Sequence, residues 1–363
     1  MNKQELQNSI SSCHANGKKV ALSFCSHVPQ EVLEAAGFYS LRVPYIQDVE
    51  DAASEILVSN VCPIVKNVCD ICEDPSFSEA DFILAETSCD GKKKMYELLS
   101  DQDRLYFYQV GQGADRDYVR PLIKSEVKYL IREIKRRFDI DVTDDKIREA
   151  AKLVNSERES IKNLMAIQKS VPAAAWGGEI FKALETHRAL PSIEDRIAAN
   201  NAFREKLLSK ESPIKKSARR ILITGCPMSS VYSKIVEAVE NNGGVIVAFE
   251  NCEALKPAIR HFDTDNEDIY EAFADCYQNT ACAIMSPNTI RFNLIEELVN
   301  DYQVDGVLDV TLHACHPYTV EKDKVMRLCH EKLGIPYMTI ETDAGNSNTG
   351  QLETRIAAFI EML

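Results

Sequence analysis

The sequence predicts an α/β chain: two Rossmann-like parallel-sheet domains with a helical insertion or linker between them. Three observations carry that prediction. Short apolar runs alternate with helical patterns over residues 1–116, and the same alternation restarts over 219–363. Between them, over 117–218, apolar residues recur at helical spacing. The chain has 363 residues, 45 % of them hydrophobic, enough for two domains or one large one with a sizeable core.

The elements follow in order. Lys19–Phe24 is an apolar run ending at Cys25, and Pro29–Gly37 reads as a helix with Pro in its first turn and Gly at its end. Ser40–Pro44, Asp81–Ala85 and Leu105–Val110 give three further strands, with a Lys-rich helix start after Cys89. Glu126–Ile134 and later stretches through Lys162 and Arg204 are amphipathic, interrupted at Pro172–Gly178, which carries the single Trp176. The α/β pattern returns with Arg220–Pro227, Gly243–Cys252, Gly306–Cys315 and Pro336–Glu341.

A net charge of −14 argues against non-specific binding to nucleic acid or to an anionic membrane, since both require a basic surface. No run approaches the roughly 18 apolar residues of a membrane span. The polar start, MNKQELQNSISSC, lacks the apolar core of a secretory signal, so a cytoplasmic location is expected.

Twelve cysteines are too few for a disulfide scaffold, and a reducing cytoplasm would not keep disulfides. Cys25, Cys89, Cys226, Cys252 and Cys315 each follow a predicted strand, so all five are expected at one crevice between the halves. Cys62 and Cys282, in loops before helical patterns, can reach the same crevice. Converging thiolates suit iron–sulfur clusters or structural zinc. Zinc usually shows paired CxxC knuckles, and only Cys69-Asp70-Ile71-Cys72 has that spacing. Cys13, Cys69, Cys72, Cys276 and Cys329 are read as structural. His27, His313 and His316 flank the cluster candidates. Lys92-Lys93-Lys94 reads most simply as a solvated basic turn, with offsetting of cluster charge or docking of an acidic partner as alternatives. There is no P-loop lysine motif and no spaced-glycine dinucleotide fingerprint.

Several segments resemble the 2-hydroxyacyl-CoA dehydratase and benzoyl-CoA reductase superfamily. They are Pro29-Gln30-Glu31, Asn60–Lys66, Glu86–Glu97, Ile223–Pro227, Glu250-Asn251-Cys252, Ser286-Pro287-Asn288, Ala314–Tyr318 and the ending from Ile340 to Glu361, which together span nearly the whole chain. In that superfamily a subunit holds one [4Fe–4S] cluster by three cysteines, which carry over onto Cys62, Cys89 and Cys315. The additional Cys25 and Cys226 resemble the double-cubane cluster proteins, a homodimeric branch in which two cubanes are joined by a bridging sulfide into [8Fe–9S]. The second cubane would then take Cys25, Cys226 and one of Cys252 or Cys282.

The resemblance implies an oxidoreductase that receives low-potential electrons from a separate activator, a homodimeric ATPase carrying one [4Fe–4S] cluster, and reduces small unsaturated molecules. The alternative is one subunit of a hydroxyacyl-CoA dehydratase, a lyase with a single cubane and a CoA thioester substrate. A third reading is a structural metal protein. The helical stretch is a candidate cover for the cluster. No acid or base is assigned, with His27 and His316 the two residues to test.

Overall fold

Each of the eight apolar runs forms a strand in a computed structural model of the protein, which describes residues 2–46, 48–227, 232–343 and 349–363. The first sheet contains β1 (Val20–Ser23), β2 (Tyr39–Arg42), β3 (Phe82–Glu86) and β4 (Leu105–Tyr108), in the order β2-β1-β3-β4. The second contains β5 (Arg219–Gly225), β6 (Gly244–Glu250), β7 (Gly306–Leu312) and β8 (Tyr337–Thr342), in the order β6-β5-β7-β8. All neighbours pair in parallel. Both halves share one strand order, which extends the duplication read from the sequence. β1, β3, β6 and β7 are buried along their whole length, as expected for parallel strands covered on both faces.

Fifteen α-helices are described. α1 (Lys3–Ala15), α2 (Gln30–Ala35), α3 (Ala53–Ile56), α4 (Pro63–Glu73) and α5 (Asp90–Tyr96) belong to the first half. α6 (Val119–Phe138), α7 (Asp144–Ala166), α8 (Gly177–Arg188) and α9 (Ile193–Leu208) form the helical stretch. α10 (Tyr232–Asn241), α11 (Leu255–Ala258), α12 (Ile269–Gln278), α13 (Thr289–Asp301), α14 (His316–Arg327) and α15 (Thr349–Met362) complete the second half. None of them is long and apolar enough to cross a membrane, among the described residues.

The helical stretch joins the halves by packing. On α6, Val119, Ile123, Val127, Leu130 and Ile134 recur every three or four residues and are buried, the spacing that places side chains on one helix face. They enter a core with Ala21, Phe82 and Leu84 of the first sheet and Ile269, Phe273 and Tyr277 of α12. Arg120 and Lys124 of α6 pair with Glu271 of α12 at the rim of that contact. Thr143 caps α7 with its side chain, and Asp144 and Asp145 favour the same end electrostatically.

One glycine has a direct bearing on the site. Gly225 ends β5 at φ +125°, and a Cβ there would meet the Val310 carbonyl oxygen at 1.9 Å. Only glycine lets β5 run this close to β7 while the chain turns off into Cys226.

Candidate functional site

In each sheet the first strand lies between the second and the third, so the connections leave in opposite directions and open a crevice beyond the carboxyl ends of the strands. Cys25 follows β1, Cys89 follows β3, Cys226 follows β5 and Cys315 follows β7. These are the strands that flank the reversal in each half. Cys252 follows β6, while Cys62 and Cys282 enter from loops. All seven cysteines line one cavity of about 480 Å³ between the halves. Apolar side chains, including Val43, Val61, Ile64 and Ile284, form much of the remaining wall.

Three of the thiols share a local geometry. Cys62, Cys89 and Cys315 are the N-cap residues of α4, α5 and α14. Pro63 begins α4, and Pro317 lies in the first turn of α14, where a missing N–H costs nothing. Backbone amides of Ile64 and Val65 reach Cys62, those of Gly91 and Lys92 reach Cys89, and that of Tyr318 reaches Cys315. Free N–H groups and the positive end of the helix dipole stabilise a thiolate at such a position. Ala314 adopts the left-handed conformation at φ 57° immediately before Cys315, uncommon for a residue with a Cβ and a frequent feature of functional turns.

The thiols also meet one another. Cys315 lies beside both Cys62 and Cys226, and Cys226 accepts the Leu312 amide at 3.1 Å. Cys25, Cys252 and Cys282 lie near one another, with Cys89 close to Cys62 and Cys282, so each disfavours ionisation of its neighbours. Burial pushes Cys89 up to about 11, and contact with Cys315 followed by burial raises Cys62. Burial likewise raises Cys25 against the opposing pull of Lys92. Without a cation these thiols hold their protons, so a bound metal must displace them.

Two buried Glu–Lys ion pairs place a lysine ammonium beside the sulfurs. Lys92 is 5 % exposed, pairs with Glu86 and donates to the Phe24 carbonyl at 3.1 Å. The basic turn is therefore solvated only at Lys93 and Lys94; Lys92 points inward because Glu86 at the end of β3 is a buried counter-charge. Lys256 is fully buried, pairs with Glu250 at 2.9 Å and donates to the Tyr318 hydroxyl at 2.8 Å. Burial opposes its charge, but Glu250 and Cys252 hold its pKa above the ordinary value. Arg291 pairs with Glu250 and Glu321 and lies over the Tyr318 ring at 4.8 Å. Each pair follows one spacing: a Glu at a strand end, a Lys six residues later and a cavity cysteine between. That spacing is the sequence signal for both pairs.

His316 lines the cavity. His27 is buried and lies outside the lining; burial, then Arg260, Lys92 and Lys256, push it down to about 3. It is neutral at working pH and has no proton to give as an imidazolium. His313 is mostly exposed and faces Glu341 at 3.0 Å. Cys13, Cys69, Cys72, Cys276 and Cys329 are buried among hydrophobic side chains away from the cavity, so the CxxC pair is part of the α4 core. From residues 117–208 the wall takes Arg188, in the last turn of α8. Arg42, Arg188 and Glu253 border the cavity as well. Sequence patterning did not single them out, because nothing local marks them.

Sulfur is the dominant donor in the cavity, which fits an iron–sulfur group better than a hard cation. Among the described residues no three His, Cys, Asp or Glu side chains are arranged to hold a single metal ion.

Residues 25–363 match the model of a family described as 2-hydroxyglutaryl-CoA dehydratase, D-component. YjiM of Escherichia coli (strain K12), a proposed dehydratase subunit, is 37 % identical over 350 residues, covering 94 % of this chain and 90 % of that one. The (R)-phenyllactyl-CoA dehydratase beta subunit of Clostridium sporogenes is 19 % identical over 351 residues, with coverages of 96 % and 92 %. A benzoyl-CoA reductase subunit from Thauera aromatica is 22 % identical over 311 residues, with coverages of 77 % and 69 %.

Proposed function

The chain belongs to the 2-hydroxyglutaryl-CoA dehydratase D-component family, and from that premise we propose that it is an iron–sulfur reductase built around a double-cubane [8Fe–9S] cluster. The observation that carries the proposal is the convergence of seven cysteines from both halves on one cavity, where a single cubane with one open iron needs only three. Cys62, Cys89 and Cys315 hold one cubane. Cys25, Cys226 and one of Cys252 or Cys282 hold the other.

When bound, the cluster supplies electrons one at a time at low potential. The protein's own contribution is electrostatic. Helix N-termini and backbone amides carry Cys62, Cys89 and Cys315 as thiolates, and Lys92 and Lys256 offset part of the thiolate charge from behind. Cavity volume bears on the substrate. Ligand pockets typically span roughly 300–1,000 Å³, and here about 480 Å³ must hold both cluster and substrate. That favours a small unsaturated molecule over a whole CoA thioester.

Low-potential electrons require an energy input, and the chain has no P-loop lysine motif. A separate ATP-hydrolysing activator with its own [4Fe–4S] cluster supplies it, docking on a homodimer of this chain in the cytoplasm. The test is anaerobic reconstitution with activator and a strong reductant. Substrate reduction is expected only with activator and ATP together; equal reduction without either one overturns the scheme.

A further inference from the structure

We propose that a second cavity, behind Cys25, binds a small oxyanion through Arg260 and the guanidinium groups around it. Arg42, Arg188, Glu253 and Cys25 border both cavities, so the second lies directly against the first. Its volume is about 80 Å³. One water needs about 10–15 Å³ of such space, so a ligand of a few heavy atoms fits, and a nucleotide or a CoA does not.

Charge identifies the ligand class. Five arginines line this small space, Arg42, Arg158, Arg188, Arg196 and Arg260, against two carboxylates: Glu157, which pairs with Arg196 at 3.5 Å, and Glu253, whose Oε2 is buried without a hydrogen-bond partner. Glu31 takes Arg158 at 2.7 Å from outside the lining. Arg196 donates to the carbonyls of Leu190 at 3.1 Å and Ser40 at 3.3 Å, and Arg188 donates to the Glu253 carbonyl. Arg260 is different. Its Nε and Nη1 are buried and have no hydrogen-bond partner, while its guanidinium lies 4.6 Å from the centre of the Tyr277 ring.

A buried, charged donor without an acceptor is costly. An anion of two to four oxygens supplies the missing acceptors and offsets the surplus positive charge of the wall. A carboxylate and an inorganic oxyanion such as phosphate share that chemistry. Binding here depends on this chain's side chains alone, so it stands apart from the cluster assignment.

The test titrates acetate and phosphate separately into anaerobically purified full-length protein by calorimetry, against chloride at constant ionic strength. Saturable one-site binding that chloride does not reproduce is expected for at least one of them. Acetate alone assigns a carboxylate ligand, phosphate alone an inorganic oxyanion, and both the shared site. Arg260→Gln should weaken that binding at least about tenfold, the scale of a charged hydrogen bond, with iron content unchanged. Where Arg260→Gln does not fold, Arg260→Lys, which keeps the charge and loses the guanidinium, carries the same comparison. Binding no stronger than chloride, or equal affinity in the Arg260 variants, overturns the proposal. So does iron lost from Arg260→Gln without any anion effect, which would make Arg260 a counter-charge for the thiolates instead.

Discussion

Cys62 and Cys315 come from opposite halves of the chain, yet they lie side by side on one cavity, each at the N-cap of its own helix. Neither half alone can assemble the site. Replacing Cys62, Cys89 or Cys315 with Ser is therefore expected to strip the cubane they share, because an alkoxide is a harder and poorer ligand for iron. Anaerobic iron analysis and the visible absorption of each variant check this. Full iron in any of the three counts against its role.

Cys25→Ser and Cys226→Ser are expected to lose about half the iron and to leave a spectrum of one cubane. Comparing Cys252→Ser with Cys282→Ser then identifies the third ligand, since only one of them should match that loss. Cys226 is beside Cys315 as well, so complete iron loss in Cys226→Ser would move it to the other cubane.

Lys92→Met leaves Glu86 buried without its counter-charge, a change expected to cost about 3–5 kcal/mol. The double variant Glu86→Gln/Lys92→Met should recover much of that loss. Denaturant midpoints measure both. If the single variant is as stable as the parent, Lys92 does not neutralise Glu86 in the folded protein.

The location of five of the cysteines was legible because buried parallel strands read as apolar runs, and five of the eight runs end at or near a thiol. Gly306–Leu312 with Cys315 beyond it is the clearest case. The burial of Lys92 was harder to read, although the Glu86-to-Lys92 spacing around Cys89 carries a signal for it. Next to Lys93 and Lys94 it looks solvated, and its partner Glu86 lies on the far side of a strand-to-helix turn. Arg42 and Arg260 were hidden for a different reason: they come from distant segments, and only the fold brings them to neighbouring walls. The N-cap role of Cys62, Cys89 and Cys315 was also missed, because N-caps are normally sought among Ser, Thr, Asp and Asn.

Away from the site, Glu31 is fully buried against Arg158 at 2.7 Å and accepts the Tyr277 hydroxyl at 2.6 Å. Burial raises its pKa, but Arg158 and Tyr277 outweigh that and hold it below the ordinary value. Its charge thus contributes stability that is fully present above the unfolded value of about 4.3 and is lost as pH falls through the lower folded value. Glu31→Gln should lower stability at pH 7 by about 3 kcal/mol or more, by breaking a buried pair. The gap to wild type should close as pH falls below about 4. A gap independent of pH would show that the carboxylate is not the stabilising form.

The most direct test of the central claim is the iron and acid-labile sulfide content of the full chain after strictly anaerobic purification. The double-cubane account predicts about eight iron and nine sulfide per chain. About four of each would instead assign a single cubane and a dehydratase-type subunit, and zinc alone would contradict iron–sulfur chemistry altogether.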